Sequence, residues 1–500
     1  MCNKLQITVN NRLEFNYRNI PKELFTAIKI LFTYKNPRFY KEKSMGYYTK
    51  TPELIKSYYI SDDNISIARG TRNKLELILK ENNIEFEYID KTISIPCKFK
   101  SKIKLRDYQK ESFDQLVEKG NGLIQGVCGC GKTIILLKVI EAIGQKTIII
   151  VHEQKLQMQW IDEIHKLFGL PLDEIGMIGG IAKKPVIKNI TVALQQSLLR
   201  NVDKYKSEFG LVVCDEVHHF ASSTFSVTVD AFKAKYRIGG TATPKRKDQL
   251  QFIMFDELGE ILSIISDKNL LELDMIHDVK IVIVYTDFIY TGEYKEMINK
   301  VYIGNDDNGF AIFDNQVTEF MVHNEFLDKI TKNAKRNKLI FRFLDAEVKN
   351  KQYCLLLADR REFCFNWKTW LSYKNIEAKL LMGGEKEDGI EVVKRMNKGD
   401  DLYVAIGTTV ADEGLNIPRL SRGFSATPSG SNERRIIQQV GRIKRKCKGK
   451  KDAIWYYFLD YKNESIAKHE KLLKKYFNTV EVLQNKEDID KYINSISKGE

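Results

Sequence analysis

Two series of short, continuously apolar runs constrain this chain more than any other feature. Between residues 121 and 243 they read GLIQG, KTIIIVH, ITVAL, GLVVCDE and YRIGGTAT, and from about 272 onward VKIVIVY, QYCLLLA, AKLLM, LYVAIGT and AIWYYFL. A run that is apolar at every position suits a strand covered on both faces, and parallel strands need helical crossovers to connect them. Helical patterns at 360–373 and 432–445 supply such crossovers in the second series. The chain is therefore expected to be α/β, with two parallel-sheet domains in tandem. Its 500 residues leave room for a further domain.

Residues 1–98 have a different texture, with short alternating strands (LQITVN, ISIARG, FEYIDKTISI), a helix over 74–81 and a Tyr/Lys-rich middle. They read as a separate small N-terminal α+β domain. The boundaries that follow are 1–98, then 99–270 and 271–468 for the two α/β domains, and 469–500 for a solvated helical tail rich in Lys, Asp and Asn. Residues 289–325 break the rhythm of the second α/β domain and read as a helical insertion with a loop.

Eighty Lys and Arg against 66 Asp and Glu give a net charge of +14, the bias of proteins that meet a polyanion. The longest apolar runs fall far short of the roughly 20 residues of a membrane helix. The polar N-terminus MCNKLQITVN has no secretory stretch, so a cytoplasmic protein with no membrane partner is expected. Eight scattered cysteines form no C-x-x-C pair and no Cys/His set, which argues against structural zinc or disulfides.

Residues 125–133 read QGVCGCGKT, in which Gly126, Gly131, Lys132 and Thr133 fit G-x-x-x-x-G-K-[ST]. Gly129 lies between them, and Cys128 and Cys130 fill variable positions. A strand precedes the loop and an apolar helix follows it. In that setting backbone N–H groups and a helix N-terminus cradle phosphates, Lys132 reaches the β- and γ-phosphates, and Thr133 holds Mg2+. ATP and Mg2+ are the expected cofactors. Roughly eighty residues later GLVVCDEVHH ends a buried strand in two acids. Asp215 is placed to bind the metal through water and Glu216 to orient or deprotonate an attacking water.

Further motifs arrive in a fixed order. LRDYQ precedes the loop; VHEQKLQMQW, VALQQSLL and IGGTATPKR follow it; and LLLADRR, LLMGG, TTVADEGLNIP and QQVGRIKR come from the second domain. Across roughly 100–460 the chain resembles the superfamily 2 helicases, whose two domains are RecA-like. DEVH with GTATP points away from the DEAD-box RNA group. The chain is similar to the XPB-like and phage UvsW-like duplex-DNA helicases and to the motors of type I and III restriction enzymes.

The resemblance implies roles. Gln109 would read adenine, His218, Thr241 and Thr243 would link hydrolysis to movement, and Gln438, Arg442 and Arg445 would serve catalysis, Arg445 as the arginine finger. Gly414 and Asn416 would approach the ribose, with Asn416 standing where many relatives carry aspartate, so nucleotide choice is expected to be looser or supported elsewhere. The lysines after Arg445 in RIKRKCKGKK read as a solvated basic face. An arginine from the second domain supplies charge at the γ-phosphate only when the cleft closes, which makes hydrolysis a reporter of closure.

For nucleic acid, the resemblance nominates Gln195 and Gln196 in the first domain and Arg361, Gly383 and Thr408 in the second. In the N-terminal domain Lys35, Arg38, Lys41, Lys43 and Lys50 could neutralise phosphates, while Phe39, Tyr40, Tyr47 and Tyr48 could stack on bases or belong to its core. The expected activity is an ATP-dependent helicase or translocase remodelling forked or branched duplex DNA in recombination, replication or repair. Two rivals stand beside it: a motor subunit of a restriction or antiphage system with a nuclease partner, and a nucleotide-gated DNA clamp. For the first, Glu347 and Lys349 form an E-x-K without the aspartate a nuclease needs.

Overall fold

The computed structural model describes residues 4–498 apart from 45–48, 128, 183, 221, 245–247, 291–293, 306–310, 322, 383–385, 409–416, 428–432 and 461–463. The chain divides into two compact units, Met1–Ser266 and Asp267–Glu500.

In the first unit seven parallel strands run in the order Ile175–Ile178, Ile190–Leu194, Thr147–Val151, Leu211–Asp215, Tyr236–Thr241, Asn121–Gly126 and Ile261–Ile265. Thr147–Val151 and Leu211–Asp215 are buried at every position, because helices cover both faces of the sheet centre. Tyr236–Thr241 lies between the strand that ends at Gly126 and the strand that ends at Asp215. Three strand ends, each carrying one expected motif, therefore meet at the carboxyl edge of the sheet, where open α/β sheets bind ligands.

The second unit repeats the plan with parallel strands ordered Ala378–Leu381, Val404–Thr408, Cys354–Ala358, Arg422–Ser425, Ile454–Asp460, Lys280–Thr286 and Val480–Leu483. Arg422–Ser425 reads RGFS and gives no apolar signal, but a Cβ on Gly423 would fall 2.1 Å from the Trp455 ring, so glycine is what lets the strand lie against that indole.

Two segments differ from their sequence pattern. Residues 469–500 are not a solvated tail: Val480–Leu483 is the edge strand of the second sheet, and the helix Lys486–Lys498 buries Ile489, Ile493 and Ile496 in its core. Those isoleucines recur at i, i+4 and i+7 within a Lys/Asp-rich stretch whose charges face out. The insertion near 289–325 is not helical: Tyr294–Asn305 and Ala311–Met321 pair as an antiparallel two-stranded sheet. Its strands carry β-branched residues, which suit extended backbone, among many charged ones.

The N-terminal segment forms its own five-stranded sheet, in the order Tyr58–Ser61, Asn64–Ala68, Arg12–Asn16, Leu5–Val9 and Phe86–Asp90. Only the last pairing is parallel. Helices Lys22–Leu31 and Arg72–Glu81 each turn an i, i+4 pair (Leu24 with Ile28, Leu75 with Leu79) into its core. This small domain is docked on the first motor sheet rather than tethered to it. Arg12 donates to Asp230 at 2.7 Å, Arg69 to the Ala234 and Lys235 carbonyls at 2.6 and 2.8 Å, and Arg237 to the Asn11 carbonyl at 2.7 Å. Tyr34 stacks on Phe252 and donates to Asp256, which also pairs with Lys74.

Candidate functional site

The loop after Gly126 is shaped by glycine. Gly129 and Gly131 hold φ of 89° and 83°, the left-handed region that L side chains avoid. A Cβ at Gly126 would fall 2.5 Å from Cys130 Sγ. Cys130 is wholly buried; Cys128 lies outside the described residues. Gly131 caps the helix Lys132–Ile143, so the helix opens with its first N–H groups at the loop. Lys132 Nζ donates to the Gly126 carbonyl at 2.9 Å and sits 3.3 Å from Glu216 Oε1. Thr133 is the next residue of the helix and half-buried.

Glu216 takes a φ of 48°, uncommon for a non-glycine residue, at the point where the strand Leu211–Asp215 ends. The turn faces its carboxylate towards Lys132, while Oε2 accepts from the Ala242 N–H at 3.2 Å. Asp215 is almost fully buried, and its Oδ1 accepts from the Glu216 N–H at 2.9 Å. Burial and the adjacent Glu216 charge push the Asp215 carboxyl up to about 6. Burial acts on Glu216 in the same sense, but Lys132, His218 and His219 together outweigh it and hold that carboxyl low.

His218 Nδ1 lies 2.6 Å from Thr241 Oγ1, whose hydroxyl donates to the Thr243 carbonyl at 3.0 Å. The single hydroxyl proton is thereby committed, so His218 Nδ1 is the donor of that pair. Gln109 Nε2 donates to the Cys130 carbonyl at 3.0 Å, and its Oε1 accepts from the Arg106 N–H. The structure thus brings Gln109, the loop, Lys132, Asp215, Glu216, His218, Thr241 and Thr243 to one sheet edge. Two residues without an expected role join them: Tyr108, whose hydroxyl also reaches the Cys130 carbonyl, and His152, which stacks on His219.

The remaining candidates are scattered or differently engaged. Gln195 is buried and donates to Thr224 at 3.0 Å, which removes it from any surface contact; Gln196 beside it is exposed. Arg38 pairs with Glu42, Tyr40 donates to Glu53, and exposed Lys35 stands 6.0 Å over the Tyr40 ring. Lys41, Lys43 and Lys50 are exposed, and Phe39 is half-buried. In the second unit Arg361 opens an exposed helix start and Thr408 ends a strand. Gly383, Gly414, Asn416, Tyr47 and Tyr48 lie outside the described residues. Glu347 is no nuclease acid: it is buried against Arg422 at 2.8 Å and the Tyr456 hydroxyl.

Gln438 is half-buried on the helix Glu433–Gly441, and Arg442 and Arg445 follow its end. The segment after it is not a solvated face throughout. Arg445 bridges Ile276, Lys444 pairs with Asp267 at 2.8 Å, and Lys450 donates to the carbonyls of Ile443 and Arg445. Burial pulls the Lys450 amine down to about 7.

No group of three or more His, Cys, Asp or Glu among the described residues could hold a metal ion. No helix among them is long and apolar enough to cross a membrane.

Two family models match the chain: the res subunit of type III restriction enzymes over residues 102–246 and the helicase conserved C-terminal domain over 332–447. The DNA 3'-5' translocase XPB2 of Sulfurisphaera tokodaii is 28% identical over 73% of this chain and 84% of its own length. The probable helicase D10 of Escherichia phage T5 is 26% identical over 81% and 82%. A fragment of a putative HsdR subunit of a type I restriction enzyme from Vibrio vulnificus shares the fold, with a TM-score of 0.53 at 16% identity over 77% of this chain and 69% of that one. With both family models falling on the two parallel-sheet domains, the chain belongs to the superfamily 2 helicases, ATP-dependent enzymes built on tandem RecA-like domains.

Proposed function

We propose that the chain is an ATP-driven duplex-DNA translocase or helicase that remodels forked or branched DNA in recombination, replication or repair. The observation that carries the ATP side is Glu216, turned by its positive φ towards Lys132 at the rim of a glycine-shaped phosphate loop. Lys132 would neutralise the β- and γ-phosphates and Glu216 would orient or deprotonate water. Gln109, buried with its amide bonded to the Cys130 carbonyl and the Arg106 N–H, would have to release one of these to read the base, and Gln438, Arg442 and Arg445 would complete the site. The Thr133 hydroxyl and the Asp215 carboxylate are hard oxygen donors that suit Mg2+, which takes few protein ligands alongside phosphates and waters. Bound there, Mg2+ would offset charge on the β- and γ-oxygens. The hydrogen-bonded chain His218–Thr241–Thr243 would carry the state of the site into the rest of the domain.

The DNA side rests on the net charge of +14 and on relatives named as DNA translocases and helicases. Exposed Lys35, Arg38, Tyr40 and Gln196, with Arg361 and Thr408, are the proposed contacts; most would be to phosphates, with little sequence preference. The match to a restriction-enzyme subunit over 102–246 favours a second reading, a motor working with a nuclease partner.

ATPase rates measured without nucleic acid and with single-stranded DNA, duplex, a four-way junction and RNA, at low and moderate salt, test the proposal. Duplex or junction should stimulate most, and steeply less as salt rises. Stimulation mainly by RNA would overturn the substrate. No stimulation by any of them would favour the partner-dependent motor.

A further inference from the structure

Asp215 has a second partner on its buried side. Trp160, fully buried in the middle of the helix Gln154–Phe168, donates its indole Nε1–H to Asp215 Oδ2 at 2.9 Å. Because Oδ1 already accepts from the Glu216 N–H, one donor sits on each carboxylate oxygen. Such a pair fixes rotation about the Cβ–Cγ bond while leaving each oxygen a further lone pair.

The helix that carries Trp160 is itself held at several points. Gln157, just under one turn earlier, donates to the carbonyls of Ile178 and Val192 at 3.2 and 3.0 Å. Gly180 packs so closely on Gln157 that a Cβ there would fall 2.1 Å from Oε1. Just before the helix, His152 stacks on His219 with ring centroids 4.4 Å apart and planes 14° from parallel. The indole is thus delivered to Asp215 by a helix that cannot easily slide or rotate.

We propose that Trp160 is a positioning residue for Asp215, its indole N–H holding the carboxylate in the rotation that presents it to magnesium-bound water. The inference rests on the reading of Asp215 as the acid on the metal side. Groups that orient a metal-side ligand typically contribute ten- to a hundredfold in metal affinity.

Trp160→Phe keeps an aromatic body and removes the donor. The Mg2+ concentration giving half-maximal ATPase should rise by about tenfold or more, while affinity for a fluorescent ATP analogue in EDTA stays within about twofold of wild type. A Mg2+ requirement unchanged in a folded variant overturns the inference. The wild-type protein supplies an independent readout, since Trp160 is the one tryptophan of residues 1–266 and the other three, Trp367, Trp370 and Trp455, lie in the second unit. In 15N-indole NMR, the resonance displaced by Asp215→Asn should also move when Mg2+ is added to the ADP-bound protein. A resonance indifferent to Mg2+ overturns the inference as well. If Asp215→Asn itself keeps the wild-type Mg2+ dependence, the reading of Asp215 falls first and takes this one with it.

Discussion

Lys132 illustrates how one residue depends on the geometry around it. Its ammonium is buried, which is tolerable because the Gly126 carbonyl and the Glu216 carboxylate both face it. Lys132→Ala removes the charge meant for the phosphates and leaves Glu216 without its closest cation. ATP hydrolysis should fall by at least about a thousandfold while circular dichroism still reports the native fold, with the urea midpoint lowered because Glu216 is left unpaired; hydrolysis at the wild-type rate would exclude this site. Residues of this kind were legible in the sequence because the phosphate loop demands glycine at fixed spacing before a helix, at Gly126 for lack of room and at Gly131 for its positive φ. Trp160 was not, since an indole in an amphipathic helix gives the same signal whether it packs against leucine or donates to a carboxylate. Gln195 misled for a related reason: nothing in its spacing says that the side chain turns inward to Thr224.

At the scale of elements, the segment carrying Arg442 and Arg445 is strapped to residues 267–277. Lys444 pairs with Asp267, Arg445 bridges Ile276, the His277 N–H donates to the Lys444 carbonyl, and Lys446 pairs with Asp274. Asp267 is the first residue of the second unit, so the strap ties the arginines to the point where the chain enters that unit. Asp267→Asn keeps the shape and weakens the tie; steady-state kinetics should show kcat lower by about three- to tenfold, as slight misplacement of a catalytic group costs, with nucleotide affinity unchanged. Lys450 closes the same segment from within and adds a pH dependence. Its folded pKa of about 7 lies below the ordinary lysine value, so between the two the unfolded chain binds more protons and stability rises with pH. Hydrogen exchange across 442–451, corrected for intrinsic rates, should slow relative to the rest of the unit from pH 7 to 9, and Lys450→Met should abolish that trend. The strands that read correctly were those buried on both faces in the motor sheets and alternating ones such as Leu5–Val9 in the N-terminal domain. Val480–Leu483 and the 294–321 hairpin escaped because a four-residue edge strand and an isolated hairpin carry little periodic signal amid charged residues.

At the scale of the molecule, the N-terminal domain and the first motor sheet form one compact unit, although the sequence reads as two domains. Their junction is built mainly from charges and carbonyls, with the Tyr34–Phe252 stack as an aromatic contact within it, which is why no hydrophobic pattern announced it. Arg12 and Asp230 are mostly buried there, and Arg12 also donates to Ser66 Oγ and the Ser57 carbonyl. Removing one partner of a buried pair leaves an uncompensated charge, at a cost of about 3–5 kcal/mol, whereas removing both costs less. Arg12→Ala should therefore split unfolding of the first unit, with the N-terminal domain melting or becoming protease-sensitive near residues 91–104 before the motor sheet does. Asp230→Ala in the same chain should recover part of the loss, a coupling that a double-mutant cycle reads directly. If the domain grips DNA as proposed, the two outcomes separate its roles. Arg12→Ala would then uncouple DNA binding from DNA-stimulated hydrolysis, because a domain that is folded but undocked can still hold phosphates yet no longer holds them in a fixed place relative to the ATP site.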